Sequence, residues 1–315
     1  MKNISVLLFL LITLALNAQN NKTSGLNARQ FHKYWKVESE SPDYKVTFLG
    51  DTVEILSPKG LTLWRKEKMS GKVTIEYDAC VVVEVEGDRL SDLNCFWMAS
   101  DPQYPDNIWK REKWRSGIFL NCYSLQLYYM GYGGNHNSTT RFRRYDGNEA
   151  AITNAKARPA ILKEYTDADH LLEANKWYHI KITNENNRVS YYINGVRLVD
   201  FRDAAPLTEG WFGFRTTLSR TRIANFHYEC SPQEISEIPL HWIGNTPQQD
   251  RTVSLGVPFS EGELYPENTL QLITDRGETL PIDTWVLAYW PDGSVKWNGI
   301  AGVIPGNTDK LLLKK

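Results

Sequence analysis

Between residues 28 and 230 the apolar positions fall in short runs where Val, Ile, Tyr, Phe and Trp alternate with polar residues, and Gly, Asn, Asp and Pro break the runs. A two-residue period turns successive side chains to opposite faces of a strand, whereas a helix needs apolar residues three and four apart, a spacing found in hardly any stretch. Val53–Ser57, Lys72–Val85, Asn94–Ala99, Gly117–Cys122, Leu125–Tyr132 and Arg141–Tyr145 read as strands. Trp177–Glu185, Arg188–Ile193, Val196–Phe201, Gly210–Thr216 and Arg222–Tyr228 follow in the same pattern. Many short strands with turn residues between them predict an all-β fold, here a β-sandwich. Asn194-Gly195 supplies the two positive-φ positions of a tight hairpin between two of the runs.

The pattern changes at both ends of this region. Met1-Lys2-Asn3 leads into an almost unbroken apolar run from Ile4 to Leu16, the charged start and short apolar core of a secretory signal peptide spanning 1–19. Cleavage is expected near Ala18 or Gln19, and the run is too short to span a bilayer, so the mature chain is predicted to be secreted or periplasmic. Residues 231–245 open on the polar, proline-bounded stretch Ser231 to Pro239 and read as a linker. A smaller β unit is expected over 246–315, with strands at Val253–Phe259 and Leu270–Thr274 and a hairpin from Trp285 to Trp297 turning at Pro291–Ser294. It reads as a partial domain.

Composition narrows the function. With 36 basic and 37 acidic residues the chain has no overall field to draw in nucleic acid or a membrane, so a charged ligand must be met by a local cluster. The 11 Trp and 16 Tyr provide flat rings for sugar faces and equally the filling of a sandwich core. Cys80, Cys95, Cys122 and Cys230, in an exported chain, allow up to two disulfides or buried thiols. No CxxC or HExxH run suggests zinc, and no cofactor is expected. Structural calcium stays open, since Asp200 and Asp203 give no ligand spacing to argue from.

The stretch richest in chemistry runs from Tyr128 to Tyr145. As a strand it turns Arg141, Arg143 and Tyr145 to one face and Phe142 to the other. Neighbouring guanidinium forks match carboxylate and sulfate groups, as on a uronate or sulfated sugar. Gly131-Tyr132-Gly133-Gly134 can turn sharply, with His136 and Asn137 beside it and Tyr128 placed to stack on a ligand. For β-elimination from a uronate, a base removes a ring proton while a cation or amide steadies the enolate, and His136, Tyr132, Arg141 and Asn137 supply such groups. The plainer reading has the arginines paired with surface acids and His136 in an exposed loop. The segment from Asp101 through Trp114-Arg115 reads as a long loop over the sheet edge. Trp109, Trp114 and Arg115 are candidate sugar contacts there, or anchors of the loop. No ExDxxE strand, GxSxG or P-loop occurs, and the first absence speaks against a paired-carboxylate hydrolase.

Trp177–Ile182, Val189–Val196, Gly210–Phe214 and Ile223–Phe226 resemble the last half of concanavalin A-like jelly rolls, which implies that fold for 28–230. With Leu93–Pro102 and Gly133–Arg144, the region is similar to the uncharacterised jelly-roll family related to YesU, associated with rhamnogalacturonan breakdown. Val253–Gly262 and Trp290–Trp297 resemble the N-terminal RIFT-barrel-type domain of the exo-rhamnogalacturonan lyase family, and some ulvan lyases look similar here. In those lyases a helical toroid that carries most of the catalytic cleft follows this domain. The resemblance therefore implies an acidic, rhamnose-containing polysaccharide as partner and a polysaccharide lyase as the activity. The alternative is a non-catalytic carbohydrate-binding module fused to a lyase fragment.

Overall fold

The computed structural model describes residues 24–231, 237–259 and 263–315, and the predicted signal peptide lies outside them. The chain divides into two compact units, Met1–Arg202 with Leu207–Ser231 and Asp203–Pro206 with Pro232–Lys315. Strands dominate both, as the two-residue periodicity predicts. Among the described residues no helix is long and apolar enough to cross a membrane.

The first unit begins with β1 (Trp35–Ser39), β2 (Lys45–Leu49), β3 (Thr52–Arg65), β4 (Met69–Ser70), β5 (Lys72–Val82) and β6 (Leu93–Ser100). It continues through β7 (Gln126–Gly133), β8 (Thr139–Asp146), β9 (Lys163–Tyr165), β10 (Tyr178–Glu185), β11 (Arg188–Ile193) and β12 (Val196–Arg202) to β13 (Glu209–Ser231). The hydrogen-bonded order is β12-β11-β10-β5-β13-β6-β7-β8-β9, with β3 along β13. Gly210–Thr216 and Arg222–Tyr228, read separately in the sequence, are one 23-residue strand. Its first part pairs with β6 and its last part with β5, and bulges at Thr217/Ser219 and Ala224/His227 bend it between the two layers. The predicted strand Gly117–Cys122 is instead a loop leading into a 3₁₀ turn, Leu120–Ser124. Asn194 and Gly195 turn the β11–β12 hairpin at φ 50° and 81°.

Alternation along the strands builds two apolar clusters. Trp97 of β6, Tyr128 and Met130 of β7 and Phe142 of β8 point inward to Tyr77, Ile180, Tyr191 and Val199 of the facing layer. Trp97, fully buried, stacks on Phe142 at 5.9 Å and on Tyr191 at 6.2 Å. The opposite faces of β6 to β8 carry Phe96, Leu127, Tyr129 and Tyr145, covered by Ile108, Cys122, Tyr123 and Leu125 from the β6–β7 connection. That connection is therefore a packed layer over the outer face of the sheet.

The second unit holds two sheets around one apolar cluster. One contains β14 (Glu237–His241), β16 (Gln271–Thr274), β17 (Thr279–Leu280) and β20 (Lys310–Lys314), and the other β15 (Arg251–Pro258), β18 (Ile282–Tyr289) and β19 (Val295–Ile304). Part of the predicted linker is thus strand, because Glu237–His241 pairs along β20. The β18–β19 hairpin turns where expected, with Gly293 at φ 84°.

Cys80, Cys95 and Cys122 are buried free thiols, which resolves for these three the alternative to disulfides. Burial pushes Cys95 from 9.0 up to about 12 and Cys122 up to about 11, and it drives the Tyr77, Tyr145 and Tyr191 hydroxyls well above 10.0. All five groups have folded-state values above their unfolded ones, so the stability they confer is whole below pH 9.0 and is lost as the pH rises from there toward 12. The melting temperature is expected to fall steadily over that interval. A melting temperature unchanged across it contradicts the assignment.

Candidate functional site

A cleft of about 460 Å³ opens on the outer face of β6, β7, β8 and the first part of β13. Its size is within the range of small-molecule sites, roughly 300–1,000 Å³. Strand register sets the floor. Arg215 pairs with Asn94, Asn94 with Gly131 and Gly131 with Arg141, forming one row across four strands. The next row on the same face is Phe96, Tyr129 and Arg143, and beyond it Leu127 faces Tyr145. Phe119 and Tyr123 wall one side, and Arg158, the Gly134–His136 turn and Arg89 contribute the rest.

Five arginines line this space, Arg89, Arg141, Arg143, Arg158 and Arg215, against two carboxylates, Glu40 and Asp92. Arg89 pairs with Asp92 at 3.0 Å, and Arg141 pairs with Glu164 of β9 outside the cleft. Arg143, Arg158 and Arg215 form no ion pair among the described residues. Arg143 donates Nη1 to the Pro159 carbonyl at 2.9 Å, Arg158 lies over Tyr123, and Arg215, 3% exposed, donates to the Gly117 carbonyl and lies over Phe119. Guanidinium groups held between aromatic walls, short of acids, focus a positive potential into the cleft and suit an anionic ligand.

The floor also carries neutral polar atoms. Gly131 has no side chain, so the Tyr129 ring leans over it, and a Cβ there would meet the Tyr129 hydroxyl oxygen at 2.4 Å. Tyr145 is 0% exposed and its hydroxyl has no hydrogen-bond partner. Asn94 donates its amide to Asp92 at 3.2 Å, while its Oδ1 has no partner. Burial holds both the Tyr129 and Tyr145 phenols above their ordinary range, so at neutral pH they are hydrogen-bonding groups and not bases.

Of the residues singled out from the sequence, His136, Arg141, Arg143 and Tyr145 come together in the cleft. His136 is exposed within a left-handed turn, Asn135 to Asn137 having φ of 53°, 58° and 57°. Asn137 anchors that turn: its amide donates to the Leu172 carbonyl and accepts from the Leu172 N–H, each at 2.8 Å. It therefore braces the turn. Tyr132 is on the opposite face of β7, with its hydroxyl donating to the Leu171 carbonyl at 3.2 Å, and burial drives its phenol far up. The expected quartet of His136, Tyr132, Arg141 and Asn137 is thus not one constellation, because alternation sends Tyr132 to the core.

The remaining candidate contacts also lie elsewhere. Tyr128 is in the core, its hydroxyl accepting from the Leu207 N–H at 3.0 Å. Arg115 is fully buried against Glu38 at 2.9 Å. Trp109 packs edge-on against Trp211, and Trp114, 44% exposed, stacks under Arg111 at 4.6 Å. Sequence reading missed Asn94, Tyr129, Arg158 and Arg215. Asp200 is bound to Arg188 and Arg197, and among the described residues no group of three or more His, Cys, Asp or Glu is arranged to hold a metal ion.

Gly131→Ala is expected to destabilise the protein by about 1–3 kcal/mol in urea unfolding, the usual cost of overpacking, because the Tyr129 ring must move. Gly134→Ala, whose Cβ would meet nothing closer than 3.7 Å, is the control that should leave stability unchanged. Equal behaviour of the two variants contradicts the packing of Tyr129 over Gly131.

Comparison with known proteins adds the relationships. A solved structure described as a protein of unknown function with galectin-like fold from Bacillus subtilis superposes with TM-score 0.53 at 15% identity, covering 67% of this chain and 95% of that one. At that identity the likeness shows a shared fold. Residues 236–314 match the PcRGLX-like N-terminal RIFT barrel domain. The uncharacterized protein YetA of Bacillus subtilis (strain 168) is 34% identical over 71 residues, 22% of this chain, and the chain spans only 8% of that relative's length. Residues 55–226, more than half of the chain and including the whole floor of the cleft, match the domain of unknown function DUF6250, and the protein belongs to that family.

Proposed function

We propose that this is an exported carbohydrate-binding protein whose first unit holds an acidic polysaccharide in the arginine-lined cleft. The observation that carries this reading is the set Arg143, Arg158 and Arg215, three guanidinium groups facing one cleft without a carboxylate partner among the described residues. Arg215 is buried, Arg143 half-buried and Arg158 exposed at the rim; an unpaired guanidinium is costly to bury as at Arg215, and a ligand carboxylate or sulfate supplies the missing charge. Rhamnogalacturonan and ulvan types are the polymers of choice because of the second unit, whose sequence matches a RIFT barrel domain of the PcRGLX-like kind.

Holding is better supported than cutting. Elimination needs a base at the acidic ring carbon, and the two phenols of the floor are driven to higher pKa, away from that role. His136 keeps a second reading alive. It lines the cleft, forms no hydrogen bond among the described residues, and stands near the Arg141 row, so it could take a proton while arginines steady the enolate.

The test is affinity electrophoresis and calorimetry of the mature protein with rhamnogalacturonan I, ulvan and a neutral galactan. Retardation by an acidic polymer alone, weakening as salt rises, is expected, with Arg143→Ala lowering affinity about tenfold or more. The ultraviolet absorbance of an unsaturated uronate should stay flat, and a rise abolished by His136→Ala would instead establish the lyase. Equal binding of neutral and acidic polymers, or of none, contradicts the proposal.

A further inference from the structure

Two buried polar atoms on the cleft floor lack partners, the Tyr145 hydroxyl and Asn94 Oδ1, on side chains 0% and 7% exposed. Enclosed polar atoms without partners are uncommon because their lost hydration is not replaced. Both residues line the same cleft, where a ligand can complete the hydrogen bonding. Their chemistry says what is required: Oδ1 only accepts, so its partner must donate, whereas a phenol can do either. A sugar hydroxyl satisfies both, and a bare anion cannot satisfy Oδ1.

Register separates the two residues. Asn94 is in the row of Gly131 and Arg141, whereas Tyr145 is four residues further along β8, opposite Leu127. At about 3.4 Å per residue the two rows are roughly 14 Å apart along the strands, and β6 and β8 are two strand spacings of about 4.8 Å apart across them. A ligand that spans both rows is longer than one sugar ring. Between the rows stands Arg143, with Nη1 committed to Pro159 and no acid beside it among the described residues.

We propose that the cleft takes an acidic oligosaccharide of more than one residue, lying along β7 and β8. Asn94 Oδ1 accepts a hydroxyl hydrogen from one sugar, the Tyr145 hydroxyl bonds to another, and Arg143 pairs with the acidic group between them. This rests on the reading of the cleft as an acidic-glycan site and adds its orientation, its length and its two hydroxyl-reading points. A carboxylate and a sulfate ester present the same chemistry to Arg143, so both belong in the test.

The full-length protein is titrated with a uronate monosaccharide, a uronate oligosaccharide, a sulfated oligosaccharide and inorganic sulfate. Tyr145→Phe and Asn94→Leu should each weaken one of the two oligosaccharides about tenfold, equivalent to about 1.4 kcal/mol, and the one affected names the acid. The double variant should lose about a hundredfold, since distant sites add. Inorganic sulfate should bind the variants and the wild type alike, and a monosaccharide should respond to one variant at most. Tyr145→Phe should keep or raise the melting temperature, because the hydroxyl removed has no partner within the protein, and this separates a binding loss from a folding loss. Undiminished oligosaccharide binding in both variants, or a monosaccharide weakened by both, overturns the inference while leaving acidic-glycan binding in place. Failure of the wild type to bind any acidic polymer removes the broader reading as well.

Discussion

The two-residue alternation of β6, β7 and β8 is the constraint on which everything else in the first unit depends. Each of these strands has one face in the core and the other toward the outer cluster, so a side chain goes either to the core between the layers or to the outer cluster and its cleft. Trp97, Tyr128, Met130 and Phe142 take the first course, and Phe96, Tyr129, Arg143 and Tyr145 the second. A slip of one residue would exchange these sets, placing Arg143 among the aromatic rings of the core and Phe142 in the cleft. The packing of Trp97 against Phe142 and Tyr191 therefore fixes the register that brings the arginines into line.

On that frame the cleft is assembled by parts with different burdens. The β6–β7 connection packs Ile108, Cys122, Tyr123 and Leu125 onto the sheet and walls one side, and the buried pair of Arg115 with Glu38 ties the same connection to β1. Arg215 reaches the floor from β13, the strand that also joins the two layers. The opposite wall is the left-handed turn at Asn135 to Asn137, a conformation in which non-glycine residues are strained. It is retained because the Asn137 amide grips both backbone groups of Leu172. Strain braced in this way at the rim of a cationic cleft is consistent with a shape set before a ligand arrives.

The sandwich could be read from the sequence because periodicity and turn chemistry agree along most of the first unit. The facing of Arg141, Arg143 and Tyr145 was legible for the same reason. The same rule applied to the neighbouring run sets Tyr129 with the arginines and Tyr132 against them, whereas the glycines around Tyr132 suggest a ligand approach. Asn94 and Arg215 were beyond reach for another reason. Their place depends on β13 being one bent strand beside β6, which local patterns divide in two. The burial of Arg115, a candidate sugar contact from the sequence, is invisible to local patterns because its partner Glu38 is 77 residues away.

The second unit extends the account without entering the cleft's chemistry. Its two sheets close on one apolar cluster, and its sequence matches the PcRGLX-like N-terminal RIFT barrel domain. The central claim, that the cleft on the outer face of β6 to β8 meets an acidic glycan, is tested most directly by a crystal structure of the protein with an acidic oligosaccharide bound. The account predicts the sugar lying over Asn94, Tyr129 and Tyr145 with an acidic group against Arg143. Sugar seated elsewhere with that cleft empty, for instance against Trp109 and Trp114 or on the second unit, would contradict it.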